Sequence, residues 1–346
     1  LAAGADFVLL GPKRTMLKAA VPVIATSAVR TGCGKSQTTR WLSRLLNRYG
    51  LKAAVIRHPM PYGDLASQAV QRFACRADLD AARCTIEERE EYEPHLVAGN
   101  VVYAGVDYAQ IVRRAEQEAD VILWDGGNND FPLLSPDLHI VLVDPLRPGN
   151  EDSHHPGEAV LRMADVIVVA KVNSASDGDV QRVTEAARAI NAAAPIVRAK
   201  SPVTAENPDL IRGKRVLVVE DGPSVTHGGM PYGAGYVAAA AAQAAEIIDP
   251  RAEAVGDIAD VYAKYPHIGA VLPAVGYHPS QLEALQATIN AVGADAVVVA
   301  TPCDLSALIV IDQPVVRVRY EFAEAGEPGL GALIEQFLSR AGLVRD

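Results

Sequence analysis

The sequence predicts an α/β protein: a doubly wound, mostly parallel sheet followed by a second α/β domain. Three observations lead there. Strand-like and helix-like patterns alternate over nearly all of the 346 residues. One stretch, 23–46, reads as a buried strand, a glycine loop and the first turns of a helix. The other strand-like runs also end in loops rich in Gly, Pro and charge, at the sheet edge where such folds bind ligands.

Taken in order, 1–12 reads as a helix end followed by a strand, which implies an N-terminal portion upstream. The apolar run that starts at Val23 reads as the first strand, and Trp41, Leu42, Leu45 and Leu46 share one face of the helix after the loop. A strand at 52–57 follows, then a helix at 64–73 with Asp64 as its N-cap. A charged helix at 85–92 has Thr85 and Glu88 at capping-box spacing, and its acidic run 87–91 reads as a solvated face. An amphipathic helix at 108–119 precedes strands at 120–125, 139–144 and 166–171. A helix at 176–192 and a strand starting at 195 close this part. The polar segment 201–213 is a candidate boundary. Beyond it, strands are expected at 215–220, 270–275, 296–300 and 315–320, and helices at 234–248, 279–292 and 330–341. The implied division is 1–20 as the end of an upstream domain, 21–200 as a nucleotide-binding domain and 201–346 as a C-terminal α/β domain.

Hydrophobic residues make up 49% of the chain, enough for sizeable cores. A net charge of −10 argues against a nucleic-acid partner. Cys33, Cys75, Cys84 and Cys303 form no C-x-x-C pair, so neither a zinc site nor a disulfide framework is signalled and a reduced cytoplasm is the natural setting. No apolar run is long enough to span a membrane.

The loop 29–36 fits the phosphate-loop pattern G-x-x-x-x-G-K-[ST], with Val29 in place of its first glycine and Arg30 after it. Amides of Thr31, Gly32, Cys33, Gly34, Lys35, Ser36 and Gln37 would face an anion at the helix N-terminus. Lys35 would reach the β and γ phosphates of a nucleotide, and Ser36 would bind Mg²⁺. The strand ending in Asp125 supplies a second metal ligand, followed by Gly126 and Gly127 and by the polar Asn128, Asn129 and Asp130. Arg57, His58 and Tyr62 lie on the loop after the neighbouring strand, where an Arg can grip phosphate in two places. Arg147 and His155 sit on another strand-end loop; His154 and His155 are adjacent and point apart, which argues against a metal pair. Lys171 and Asn173 stand where many GTPases carry Asn-Lys-x-Asp, and the Asn in place of the Asp favours adenine over guanine. In the second half, 221–236 holds five glycines, an expected backbone anion nest with His227 as its group for proton transfer.

The segments 29–36, 57–65, 85–95, 124–130 and 144–149 together resemble the cyclic 2,3-diphosphoglycerate synthetase family, in loops, spacing and order over most of 21–171. Members of that family also carry an N-terminal domain. The resemblance implies ATP-driven closure of 2,3-bisphosphoglycerate to its cyclic anhydride, with release of ADP and phosphate. It would place ATP·Mg²⁺ on 30–36 and Asp125, and the acceptor by Arg57, His58 and Arg147. The expected partner is a small phosphorylated metabolite, and Arg30 suggests a homodimer in which it crosses to the other subunit's nucleotide. The rival reading is a GTPase-like nucleotide switch or a metallochaperone.

Overall fold

The computed structural model describes residues 2–58, 60, 64–127, 130–276 and 278–344. The first body is built from β1 (Val23–Ala28), β2 (Ala53–Arg57), β3 (Gln71–Phe73), β4 (Val101–Ala104), β5 (Val121–Asp125), β6 (Leu138–Val143), β7 (Val166–Val169) and β8 (Ile196–Lys200). The second is built from β9 (Val203–Ala205), β10 (Arg215–Asp221), β11 (Glu246–Ile247), β12 (Leu272–Ala274), β13 (Ala296–Val299) and β14 (Val315–Tyr320). A last short strand, β15 (Ala323–Glu324), returns to the first sheet.

The nine-strand order is β15-β8-β7-β6-β1-β5-β2-β4-β3, parallel except where β3 and β15 pair antiparallel at the two edges. β1, β5 and β6 are buried along their whole length, as strands covered on both faces must be. From β1 the chain turns towards β2, and after β5 it crosses β1 to reach β6. β1 is thus a topological switch point, with the phosphate loop at its carboxyl end. The second sheet runs β11-β10-β13-β14-β9, with β12 on β10, and only β9 is antiparallel among these pairings.

The first core joins Ile24, Leu42, Leu46, Val55, Tyr92, Leu123 and Leu142, and the second joins Val218, Leu272, Ile289 and Val298. The helix Ile86–Val97 belongs to both: Ile86 lies in the second core and Tyr92 in the first. The chain crosses between bodies at Ser201 and again near 321–322, where Phe322 packs on Trp41 with ring centroids 4.8 Å apart. Thereafter Leu330, Ile334, Phe337 and Leu338 of the helix Leu330–Arg340 complete the first core, not the second.

Four expectations need correction. Residues 64–70 make a hydrogen-bonded turn rather than a helix, with the Gln68 amide donating to the Asp64 carbonyl at 3.0 Å, and the segment then extends into β3. Its backbone is held against Gly105, where any side chain would meet the Gln68 and Ala69 carbonyls. The helix expected at 234–248 stops at Ala241, because Gln243 takes a left-handed φ of 59° and the chain re-enters the sheet as β11. Residues 7–10 stand exposed and form no strand. The acidic run 87–91 is not a solvated face: Glu87, Glu88 and Glu90 are buried, and Glu93 beyond it is buried too.

Leu338→Ala should lower global stability by about 2–5 kcal/mol, the usual cost of a large-to-small change in a closed core. Urea unfolding of the full chain would check this, and a change below about 0.5 kcal/mol would mean that the C-terminal helix is not part of the first core.

Candidate functional site

At the end of β1 the chain turns through Gly32 and Gly34, at φ values of 80° and 109° that side-chain-bearing residues rarely adopt. Val29 is not among the left-handed residues, so its position has no need of glycine. Its amide donates to the Leu142 carbonyl at 3.1 Å, and its side chain is buried. Gly157 lies so close to the Val29 carbonyl that any side chain there would press into it. The helix Lys35–Arg48 then starts with no side-chain cap, which leaves its first amides to an anion. Lys35 is buried in the loop, and burial lowers its pKa, opposed by Cys33 and Asp130.

Basic residues brace the loop from outside. Arg147 donates to the Thr31 carbonyl at 2.7 Å, to Asp144 at 2.9 Å and to the Gly228 carbonyl at 2.7 Å. Lys171 donates to the Gly32 carbonyl at 2.6 Å and to Asp144 at 2.9 Å. Arg147 thus links the phosphate loop to the second body. Arg30 is held within its own chain, by Asn150 at 3.4 Å, by His154 and by the His227 carbonyl at 3.2 Å. His155 is exposed against Phe131, while its neighbour His154 meets Arg30. Asn173 turns its amide to Ser201, accepting from the Ser201 amide at 2.7 Å, and does not line the cleft.

Arg57 and Asp125 form the centre. Arg57 Nη1 lies 2.8 Å from Asp125 Oδ2 and 3.3 Å from Ser36 Oγ, and its other nitrogen pairs with Glu91. Asp125 Oδ2 also takes a hydrogen bond from His95 Nε2 at 2.9 Å, with Asn100 on the other ring nitrogen at 3.4 Å. Burial pushes the Asp125 carboxyl up, but Arg57, His95 and Lys35 together hold it well below the ordinary carboxylate range. Arg57 thus bridges the two groups expected to bind metal, and it also lines the cleft. Tyr62, Asn128 and Asn129 lie outside the described residues. Asp130 is near Lys35, and burial raises its pKa.

The cleft above the loop has a second wall. Glu90 and Glu91 of the helix Ile86–Val97 and Glu220 and Asp221 at the end of β10 line it, together with Ser224, Tyr232, Ala300 and Tyr320. The expected anion nest is already filled by the chain itself. Glu220 accepts from the amides of Gly233, Gly235 and Tyr236 at 3.0, 3.1 and 2.8 Å, so it caps the helix Ala234–Ala241. Burial outweighs these bonds and pushes the Glu220 pKa up to about 7.

No protein-family profile matches the chain. It is 58% identical over 335 residues to the arginine synthetase ArcE of Thermococcus kodakarensis, covering 97% of this chain and 75% of that protein. The chain belongs to the ArcE family. Among solved structures, LpxK from Aquifex aeolicus, in complex with ATP, superposes with a TM-score of 0.55 at 16% identity, over 94% of this chain and 90% of that one. The hydrogenase maturation factor HypB from Archaeoglobus fulgidus gives 0.33 at 20% identity, over 51% of this chain and 80% of that one. The likeness to LpxK shows a shared fold through both bodies of this ArcE-family protein.

The residues that the sequence pattern did not reveal are Glu90, Glu91, His95, Glu220 and Asp221. A signal was present: with Thr85 capping the helix through the Glu88 amide, Glu87, Glu90 and Glu91 fall at three- and four-residue spacing on one face. No helix among the described residues is long and apolar enough to cross a membrane.

His58 is not a cation at neutral pH. Burial, then Arg57 and Lys35, lower its pKa to about 3, and Gly127 packs against its ring where a side chain would collide. Burial lowers His139 to about 4. For both rings the unfolded chain binds the proton more tightly. Their contribution to stability is therefore complete above pH 6.5 and is lost as pH falls towards the folded values. Between pH 6.5 and 4.5, His58→Gln should reduce the slope of stability against pH, by up to about 1.4 kcal/mol per pH unit. Urea titrations across that range would check it, and an unchanged slope would place His58 in solvent.

Proposed function

We propose that this protein is an ATP- and Mg²⁺-dependent synthetase that activates the ureido oxygen of an amino acid and replaces it with nitrogen, making a guanidinium group. One observation carries the reading: a phosphate loop faces a cleft wall that holds Glu90 and Asp221, neither with a Lys or Arg at ion-pair distance among the described residues, beside Glu91, which pairs with Arg57, and Glu220, which caps a helix. Such a cleft takes a polyphosphate on one side and a cationic, nitrogen-rich group on the other. The name of its relative, arginine synthetase, supports the same chemistry. A ureido group differs from a guanidinium by one oxygen in place of nitrogen. Transfer of the γ-phosphoryl group to that oxygen releases ADP and creates a leaving group. Nitrogen attack on the carbon then expels phosphate, and the carboxylate wall stabilises the positive charge that results.

Within this reading the amides of 31–37 and Lys35 hold the phosphates. Two oxygens support Mg²⁺ binding in this reading: Asp125 Oδ1 is buried without a partner, and Ser36 Oγ lies on the other side of the same Arg57 Nη1 that pairs with Asp125 Oδ2. Bound there, Mg²⁺ would neutralise phosphate charge. ATP is preferred to GTP because position 173 offers an amide, not the carboxylate that reads guanine, and that amide is engaged by Ser201. A 2,3-bisphosphoglycerate acceptor is the weaker alternative. Its second phosphate would meet the acidic wall, while Arg57 and Arg147 are already paired to carboxylates.

ADP release should require both a ureido amino acid and ammonium, and Lys35→Ala should lower it by at least about 10²-fold. Coupled-enzyme detection of ADP and amino-acid analysis of the product would check this. Stimulation by bisphosphoglycerate, with a new phosphorus NMR signal, would favour the alternative acceptor. Slow hydrolysis unaffected by either acceptor would favour a nucleotide switch.

A further inference from the structure

The carboxylate wall contains two groups that the reading above does not differentiate. Glu90 is 7% exposed; its Oε1 accepts from Thr301 Oγ1, its Oε2 is buried with no N–H or hydroxyl donor among the described residues, and its carboxyl lies within hydrogen-bond reach of the Asp221 carboxyl. Asp221 stands beside it and accepts from Ser224 Oγ at 2.6 Å. The charged groups acting most strongly on Glu90 are Asp221 and Glu87, and those acting on Asp221 are His227, Glu87 and Glu90. Among the described residues, neither Glu90 nor Asp221 has a Lys or Arg at ion-pair distance, unlike Glu91, which pairs with Arg57, and unlike Glu220, which caps a helix. Two buried carboxylates in contact repel unless a proton or a cation lies between them, and at the edge of a cleft a ligand can supply it.

We propose that Glu90 and Asp221 form the seat of the nitrogen nucleophile, binding it as an ammonium ion across the cleft from Lys35. The inference rests on the synthetase reading and names one of its substrate subsites. The geometry favours ammonium over the planar product group, since Glu90 Oε2, Asp221 and the hydroxyls of Ser224 and Thr301 offer acceptors on a small buried centre. The step balances as follows. Ammonium gives one proton to the carboxylate pair and becomes ammonia. The ammonia lone pair forms the new C–N bond at the phosphorylated ureido carbon. The C–O bond breaks with its electron pair going to phosphate, which leaves with one proton from the attacking nitrogen, and a guanidinium remains. Burial raises the affinity of both carboxyls for that first proton, which suits them to accept it.

Full-length Glu90→Gln and Asp221→Asn variants would be assayed with ammonium and with hydroxylamine, a nucleophile largely uncharged at neutral pH. The expected result is a KM for ammonium raised about tenfold or more, an unchanged KM for ATP, and a several-fold smaller loss of kcat/KM with hydroxylamine than with ammonium. A parallel loss with both nucleophiles, or an unmoved ammonium KM, would overturn the proposal. A wild-type crystal grown with ADP and thallium(I), a mimic of ammonium, keeps the test independent of how the variants fold. An anomalous peak between Glu90 and Asp221 supports the seat, and its absence overturns it. A wild-type enzyme that makes product without needing ammonium would instead sink the synthetase reading, with the thallium peak still deciding the cation seat.

Discussion

Everything at the cleft hangs on the burial of one guanidinium. Arg57 is almost wholly removed from water, and its nitrogens meet Asp125, Ser36 and Glu91 at once. A buried ion pair contributes little net stability, because desolvation offsets the attraction; a broken one is expensive, because a charge is left behind. The arrangement is therefore better understood as a device for position. It fixes the end of β5, the first turn of the phosphate-loop helix and the middle of the helix Ile86–Val97 relative to one another. His95, on that same helix, adds a second grip on Asp125.

A second set of contacts works by the same logic on the outer side of the loop. Asp144, at the end of β6, collects Arg147 and Lys171, and those two cations hold the loop carbonyls of Thr31 and Gly32. The loop is thus shaped by groups that face its carbonyls, which leaves its amides directed inward. That division sets Arg147 and Lys171 against the loop's carbonyls and Asp144, although the sequence places them at strand ends.

Much of the fold was legible because parallel strands covered on both faces must be apolar along their length, and β1, β5, β6 and β13 are so. The phosphate loop was legible because its chemistry is local: two left-handed glycines, a lysine and a helix start within a few residues. The acidic wall was not, because a run of glutamates has the same pattern whether it faces water or a cleft. Only the packing of Ile86 and Tyr92 into two different cores decides which. The turn at 64–70 was misread for a related reason, since nothing local foretells the close approach of Gly105. The cyclic diphosphoglycerate resemblance located the loops of the first body, but not the charge of the surface they face.

The helix Ile86–Val97 has one further consequence. Its first residue is buried in the second core, and the Ile86 amide donates to the Gly276 carbonyl at 3.3 Å, while Tyr92, less than two turns later, stacks on Phe73 in the first core with centroids 5.0 Å apart. A rigid rod embedded at both ends transmits melting in either direction. Heat that loosens one sheet strips the rod of half its packing and so weakens the other. The two bodies should thus come apart in a single cooperative transition rather than in succession.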